Sequence, residues 1–454
     1  MTRTIRPAPA LLAVLLLAAC TAKPGPSSAT YGAAVPLATP HAQAIPTINT
    51  AQPLGWPAGV TPKAPAGFQV VAFARGLDHP RQLLALPNGD VLVALSSSEA
   101  HKTKGFTAWF AQFIQKGAGA LAKSANQIVL LRDTDGDGVA ETRFTLIDKG
   151  LNQPFGMAVI GDTLYVGNTD SVMAFPFPAG TTHIDAPGRK ILDLPSGSDG
   201  RGHWTRSLLA GPDGTKLYVG VGSGSNIADG GMGAEAGRAR ILEITLATGA
   251  VRPYATGLRN PNSMSFEPSS GVMWTVVNER DMIGDNTPPD YMTALKDGAF
   301  YGWPWSYYGD HVDARVKPAN PDMVAKAIAP DYALGAHTAS LGLTFYPYTT
   351  GFPAAYSGGA FVGQHGSWNR SEPAGYKVVF VPFADGRPSG PAQDFLTGFL
   401  KDPKHAYGRP VGVAVDRRGG LLVADDVGNV VWRVPPPHPL APGFAACEPC
   451  QPPR

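Results

Sequence analysis

The sequence predicts an all-β fold, a six-bladed β-propeller, on three observations. Glycine and proline are abundant, 54 and 44 of 454 residues, and they are spread along the chain. That suits many short strands joined by turns and disfavours a helical protein. At 44 % hydrophobic residues the chain can bury a large core, and large all-β architectures exceed the usual domain length as single units. Finally, one strand pattern recurs six times: a polar residue, a short polar or Pro/Gly step, an apolar strand, a Gly-containing turn and a second apolar strand.

The six segments, in order, are "HPRQLLALPNGDVLVA" from His79, "QPFGMAVIGDTLYVG" from Gln153, "HWTRSLLAGPDGTKLYVG" from His203, "RNPNSMSFEPSSGVMWTV" from Arg259, "HTASLGLTFY" with "GGAFVG" from His337, and "RPVGVAVDRRGGLLVA" from Arg409. Their intervals of 74, 50, 56, 78 and 72 residues exceed the ~40–50 of compact propeller repeats and leave room for four strands plus loops. Radial repetition puts equivalent positions on a ring, so the six leading residues are expected to rim one axial mouth. Taken singly, each such residue caps its strand and bonds a neighbouring blade. As a set, three histidines and two arginines in a chain of net charge +2 point to an anionic ligand.

The flanks carry different signals. "MTRTIRPAPALLAVLLLAAC" has Arg3 and Arg6, an apolar stretch and small residues before Cys20, the form of an export signal over residues 1–20. Its "LAAC" ending resembles a bacterial lipobox, which would lipidate Cys20; the alternative is a plain secretory signal. Residues 21–60, rich in Ala, Pro, Thr and Ser, read as a flexible tether, 61–437 as the propeller and 438–454 as a tail. In the tail, "CEPC" lacks the histidine of a haem-attachment motif, and Cys447 and Cys450 are expected to form a local disulfide in an oxidising compartment, the alternative being an unpaired or redox-active pair. The protein is thus expected to be periplasmic or extracytoplasmic and to meet a membrane through its lipid anchor. With no basic run or acidic tail, nucleic acid is not an expected partner. Two insertions interrupt the repeats: 102–124, with partly helical apolar spacing, and 278–311.

Several clusters carry possible chemistry. "DTDGDGVAE" sets Asp133, Asp135, Asp137 and Glu141 around Gly138, the oxygen-rich start of a calcium loop, but the twelfth position is Phe144, so it is no complete EF-hand. A calcium loop and a plain acidic hairpin both remain open, and either role is structural. "NERDMIGDNTPPD" offers Glu279, Asp281, Asp285 and Asp290 to a hard cation or simply to solvent. "FYGWPWSYYG" could stack on sugars or pack a blade. "VGQHGSWNRSEPAGYK" gathers His365, Arg370 and Lys377 within thirteen positions, more cationic groups than a hairpin needs. No G-x-S-x-G, H-E-x-x-H or P-loop occurs, which argues against the commonest hydrolase, zincin and nucleotide readings.

Over roughly residues 65–435, "GLNQPFGM", "GLRNPNSM", "NERD", "YGWPWSYYG", "GQHGSWNRSEPAGYKVVFVPF" and "GRPVGVAVD" together resemble the soluble glucose and sorbosone dehydrogenases, the sorbosone branch most. These are six-bladed quinoproteins using pyrroloquinoline quinone (PQQ) and calcium. The resemblance implies oxidation of a sugar or sugar-derived aldehyde, with electrons passed to an external acceptor. His203 would be the general base taking the hydroxyl proton as hydride passes to the quinone, and Arg259 would stabilise charge on the reduced cofactor. Three cofactor carboxylates demand convergent donors, for which the resemblance offers Arg81, Gln153, Arg259, Asn260, His365, Arg370, Lys377 and Arg409. In the glucose enzymes calcium is held largely by main-chain oxygens; the corresponding loop differs here, and Asp281 and Asp285 are its candidate ligands. Trp204, where the glucose enzymes carry smaller polar residues, marks a different substrate pocket. The competing functions are a calcium-dependent propeller lactonase, whose axial site is acidic and amide-lined, and a non-catalytic lipoprotein binding glycan or protein.

Overall fold

Strands form where aliphatic and β-branched residues run between turn residues, as in Val91–Leu95 (VLVAL), Ala360–Gln364 (AFVGQ) and Leu421–Asp425 (LLVAD), each buried along its whole length. Burial on both faces means that each sheet is sandwiched between two others. The computed structural model describes residues 30–41, 47–99, 123–196, 202–438 and 440.

Among these residues six antiparallel sheets follow one another along the chain. Their innermost strands are Pro80–Ala85, Met157–Ile160, Leu208–Ala210, Asn260–Phe266, Ser340–Phe345 and Pro410–Val415, and each heads a sheet of four strands, with a fifth added to the fourth sheet. The innermost strands touch in cyclic order, the last against the first. The sixth sheet takes its outer strand from the other end of the chain: Val71–Arg75 pairs with Val430–Val434, Val71 opposite Arg433. Apolar side chains fill every gap around the cycle. Leu92 and Leu130 meet Leu164 and Val166, Val172 meets Leu217 and Val219, and Tyr218 and Ile241 meet Met264 and Val277. Trp274 and Val276 meet Val362 and Val379, Phe361 and Phe380 meet Val423 and Trp432, and Val93 and Val129 meet Leu422 and Val431. The aromatic run 300–309 also packs inward: Tyr301, Trp303, Tyr307 and Tyr308 are buried, so blade packing rather than an open sugar platform accounts for them.

The described part of the stretch read as a flexible tether is instead docked on the sheets. Tyr31–Gly32 extends the fourth sheet beside Tyr332–Ala336, His41 N donates to Ile283 O (2.8 Å) and Asn49 N to Trp368 O (2.9 Å). Gln52–Pro53 runs parallel to His405–Ala406, and the Trp56 indole donates to Asp425. Composition hid this because main-chain groups make most of the bonds. Residues 102–122 of the first insertion, Cys20, Cys447 and Cys450 lie outside the described residues. No helix among the described residues is long and apolar enough to cross a membrane.

Candidate active site

Each ring residue stands at the entry to an innermost strand, and three of them, His79, Gln153 and His337, enter with positive φ (52°, 49° and 58°). A left-handed turn at a non-glycine residue costs on the order of 1 kcal/mol. Its recurrence at one repeat position shows that the kink is part of how the chain turns into the inner strand. The same face receives the connections between second and third strands, including 222–239, 279–288, 365–376 and 426–429.

At the third entry, His203 Nδ1 lies 3.1 Å from both Ser223 O and Ser223 Oγ. A carbonyl only accepts, so Nδ1 carries the proton and Nε2 keeps its lone pair. Burial, with the Arg259 guanidinium beside it, drives the imidazole down to about 3, so the ring is neutral at neutral pH. The ring packs against the main chain at Gly222, where a Cβ would fall 2.6 Å from His203 Cβ and 2.3 Å from Asn260 Oδ1.

Two bridges of identical composition stand on this face, the first beside His203 through Arg259 and the second beside Trp204 through Arg81. In the first, Asp281 accepts from Arg259 Nη2 (3.0 Å) and pairs with His337 Nδ1 (3.3 Å), while His337 Nε2 meets Gly284 O (2.8 Å). Arg259 also donates to Glu279 O (2.6 Å) and to Asn226 Oδ1 (3.0 Å), and Asn226 Oδ1 accepts from Asp281 N (2.8 Å). Burial alone raises a carboxyl, but Arg259 and His337 overcome it and hold Asp281 low; burial likewise opposes the His337 charge, and Asp281 overcomes it, raising His337. In the second bridge, Asp426 accepts from Arg81 Nη1 and pairs with His365 Nε2 (2.8 Å). Despite burial, His365 and Arg81 keep Asp426 well below the usual carboxylate range. Arg81 lies over Trp204 (5.3 Å) and Phe155 (5.9 Å), which carries the half-buried Trp204 to the edge of this bridge.

The remaining expected residues divide. Asn260 and Gln153 are buried at the rim: Asn260 Nδ2 donates to Asn278 Oδ1 (3.2 Å), and Gln153 Nε2 donates to Ser97 O (3.0 Å). Arg409 is 2 % exposed, stacked on Tyr376 and donating to Ala51 O (2.8 Å) of the docked N-terminal segment. Arg370, equally buried, ties down the loop 279–288 through Asp285 O and Asn286 Oδ1 (3.2 Å). Lys377 is a correction: its ammonium turns away from the rim to Asp394 on the outer strand Gln393–Leu396 and lies 5.6 Å from the Tyr31 ring. Asp285 is spent on Ser371 N (2.9 Å) and Oγ, and Asp281 on its bridge, so neither carboxylate is presented to a cation in this arrangement. Away from the rim, Asp133, Asp135, Asp137 and Glu141 bring ligand oxygens within 4.8 Å of one another, and Asp133 also pairs with Arg418 (2.7 Å).

Sequence reasoning missed Asn226 and Asp426. Asn226 lies in a small-residue loop, "GSGSN", after a second strand, and Asp426 is the second acid of "VADD" after another. Their shared place in the connection that follows a second strand was the available signal.

The TrAA12-like family model matches residues 62–291 and 312–435. The chain belongs to the TrAA12-like family. An uncharacterized protein of Borreliella burgdorferi is 28 % identical over 390 residues, 82 % of this chain and 90 % of that protein. A pyrroloquinoline quinone-dependent pyranose dehydrogenase of Coprinopsis cinerea is 24 % identical over 431 residues; the match takes in 81 % of this chain and 54 % of that longer protein. Among solved structures, the holo form of the PQQ domain of the Coprinopsis cinerea pyranose dehydrogenase superposes with a TM-score of 0.66 at 20 % identity, covering 85 % of this chain and 100 % of that one. The calcium structure of the Trichoderma reesei family AA12 enzyme gives the same score over 86 % and 99 %. These likenesses show that the TrAA12-like chain shares the fold of those proteins. The motif resemblance holds at the level of PQQ-dependent soluble sugar dehydrogenases.

Proposed function

We propose that this TrAA12-like chain is a six-bladed propeller that oxidises a sugar or a sugar-derived aldehyde such as a sorbosone, using PQQ and calcium and passing electrons to an external acceptor. The observation that carries the reading is His203: neutral, its proton fixed on Nδ1, its Nε2 free to accept, and Arg259 beside it. Six consecutive sheets, the cyclic contact of their inner strands and the closing pair Val71–Arg75 with Val430–Val434 support the blade count.

The residues present suit a tricarboxylated quinone. Nε of Arg81, Nε of Arg409 and Oδ1 of Asn260 are buried without a hydrogen-bond partner among the described residues. Buried polar atoms are normally paired, so such orphans at a rim are explained by a polar ligand. We assign cofactor holding to Arg81, Arg259, Asn260, His365 and Arg409. Since Asp281 and Asp285 are committed, calcium at the rim would draw on main-chain oxygens; a second, structural calcium would sit in the loop of Asp133, Asp135, Asp137 and Glu141.

When bound, PQQ supplies the two-electron acceptor. His203 Nε2 takes the proton of the substrate hydroxyl, and the Ser223 carbonyl keeps the ring in the tautomer that can do so. Asp281 holds Arg259 in place, with its guanidinium positioned to oppose negative charge at the reacting centre. Trp204, braced by Arg81, offers an apolar face for the substrate. Outside the described residues, Cys20 is proposed to carry a lipid that holds the protein at a membrane in the periplasm or an extracytoplasmic space, and Cys447 and Cys450 to form a disulfide; mass spectrometry of the mature protein tests both. For the activity, apoprotein is reconstituted with PQQ and calcium and dye reduction is followed over a panel of aldoses and sorbosone. Turnover dependent on the quinone is expected. No binding and no turnover would overturn the reading, and lactone hydrolysis with calcium alone would replace it with the lactonase.

A further inference from the structure

Arg206 is 0 % exposed, three residues beyond His203 and two before the inner strand Leu208–Ala210. Its guanidinium ends on main-chain carbonyls: Nη1 donates to His203 O (2.8 Å) and Thr205 O (2.9 Å), and Nη2 to Pro195 O (2.8 Å). Among the described residues no carboxylate pairs with it, and Nε is buried without a partner. Burial, reinforced by Arg238, pulls the guanidinium down to about 9. Holding a cation out of water without a counter-ion is costly, so its carbonyl bonds must secure something the fold needs.

What they secure is the turn 203–206. On the side of the second sheet, Gly156 N donates to Arg206 O (2.9 Å), and a Cβ at Gly156 would lie 2.5 Å from that oxygen. On the side of the fourth sheet, Thr205 Oγ1 donates to Asn262 Oδ1 (3.1 Å). At its head, His203 N donates to Ser223 O (3.0 Å), the oxygen that also receives the imidazole Nδ1 proton. The carbonyl clamped by Arg206 belongs to the residue whose ring must face Ser223. Shifting that carbonyl would therefore shift the ring bond as well.

We propose that Arg206 is the positioning residue of His203, fixing the turn so that the imidazole keeps its proton on Nδ1 and its lone pair on Nε2. The proposal rests on His203 as base, but it has a consequence readable without turnover. In ¹⁵N-histidine spectra of the cofactor-free protein, wild type is expected to show one neutral His203 tautomer, protonated on Nδ1. Arg206→Met is expected to show mixed or exchange-broadened tautomers, with Arg206→Lys intermediate because an ammonium can still reach some of the carbonyls. In the reconstituted enzyme kcat falls by about tenfold or more in Arg206→Met, the lower part of what loss of a general base costs. PQQ affinity and KM stay near wild type, and Arg206→Lys recovers part of kcat. Unchanged His203 signals and kcat in both variants would overturn the proposal. So would parallel losses in kcat, KM and quinone affinity tracking a lowered Tm, or failure of both variants to fold, since each marks a purely structural role. Absence of turnover in wild type would remove the base reading and leave the tautomer result to stand or fall separately.

Discussion

Arg259–Asp281–His337 and Arg81–Asp426–His365 each place one carboxylate between a guanidinium and an imidazole, yet they shift their histidines in opposite directions. Asp281 outweighs burial and raises His337, whose Nε2 also meets Gly284 O. At His365 burial wins: Arg409 and Arg81 add to it, Asp426 offsets it only in part, and the imidazole is lowered. The difference lies in the second cation, because Arg409 stands near His365 while a backbone carbonyl stands at His337. Three residue types do not fix a protonation state; the next neighbours do. One bridge thus favours the imidazolium of His337 beside the loop 279–288, and the other favours the neutral form of His365.

The largest expected effect falls on His203. His203→Asn retains quinone binding but loses turnover by ~10²–10⁴-fold, as for a missing general base, read by parallel titration and dye reduction. If binding falls with turnover, His203 belongs to cofactor holding. Next come the carboxylates. Asp426→Asn leaves Arg81 buried and unpaired and is expected to destabilise the fold by about 3–5 kcal/mol in urea unfolding. Asp281→Asn costs less, because Arg259 keeps Glu279 O and Asn226 Oδ1. Equal losses would erase the distinction between the bridges.

The histidines then separate by pH. His337, raised in the fold, contributes stability that is full below the unfolded value of about 6.5 and lost as pH rises through its folded pKa. His365, lowered, contributes stability that is present above about 6.5 and lost as pH falls toward its folded pKa. Urea unfolding from about pH 5 to 8 is expected to lose part of its alkaline decline in His337→Gln and part of its acidic decline in His365→Gln. The same slope in both variants would contradict the assignment. The smallest effect is expected at Lys377: its partner Asp394 is 55 % exposed, so Lys377→Ala changes stability by no more than about 1 kcal/mol and leaves quinone affinity alone.

Much of this was legible in the sequence. The six strand entries, their ring and the place of His203 and Arg259 follow from repetition alone, because equivalent positions in stacked sheets must share a radius. Arg370 and Arg409 were recognisable as cations, but what they hold was not: their partners are main-chain oxygens of Asp285 and Ala51, and backbone carries no sequence signature. Lys377 opens a strand opposite Gln364, and the turn of its side chain toward Asp394 is a rotamer choice that sequence spacing cannot specify. Asp425 and Asp426 are adjacent acids with opposite fates. Burial raises Asp425 to about 6 against the Trp56 and Trp432 indoles that donate to it, while His365 and Arg81 hold Asp426 well below the usual carboxylate range. Which acid faced the rim depended on how the strand Leu421–Asp425 ended.

The most direct test is an absorbance titration of the apoprotein with PQQ in the presence of calcium, run on wild type, Arg81→Ala and Lys377→Ala. Saturable binding is expected in wild type and Lys377→Ala, with affinity weakened in Arg81→Ala by roughly 1.5–3 kcal/mol for one charged hydrogen bond. No spectral change in wild type, or equal affinity in all three proteins, would contradict a guanidinium-lined rim built for this quinone.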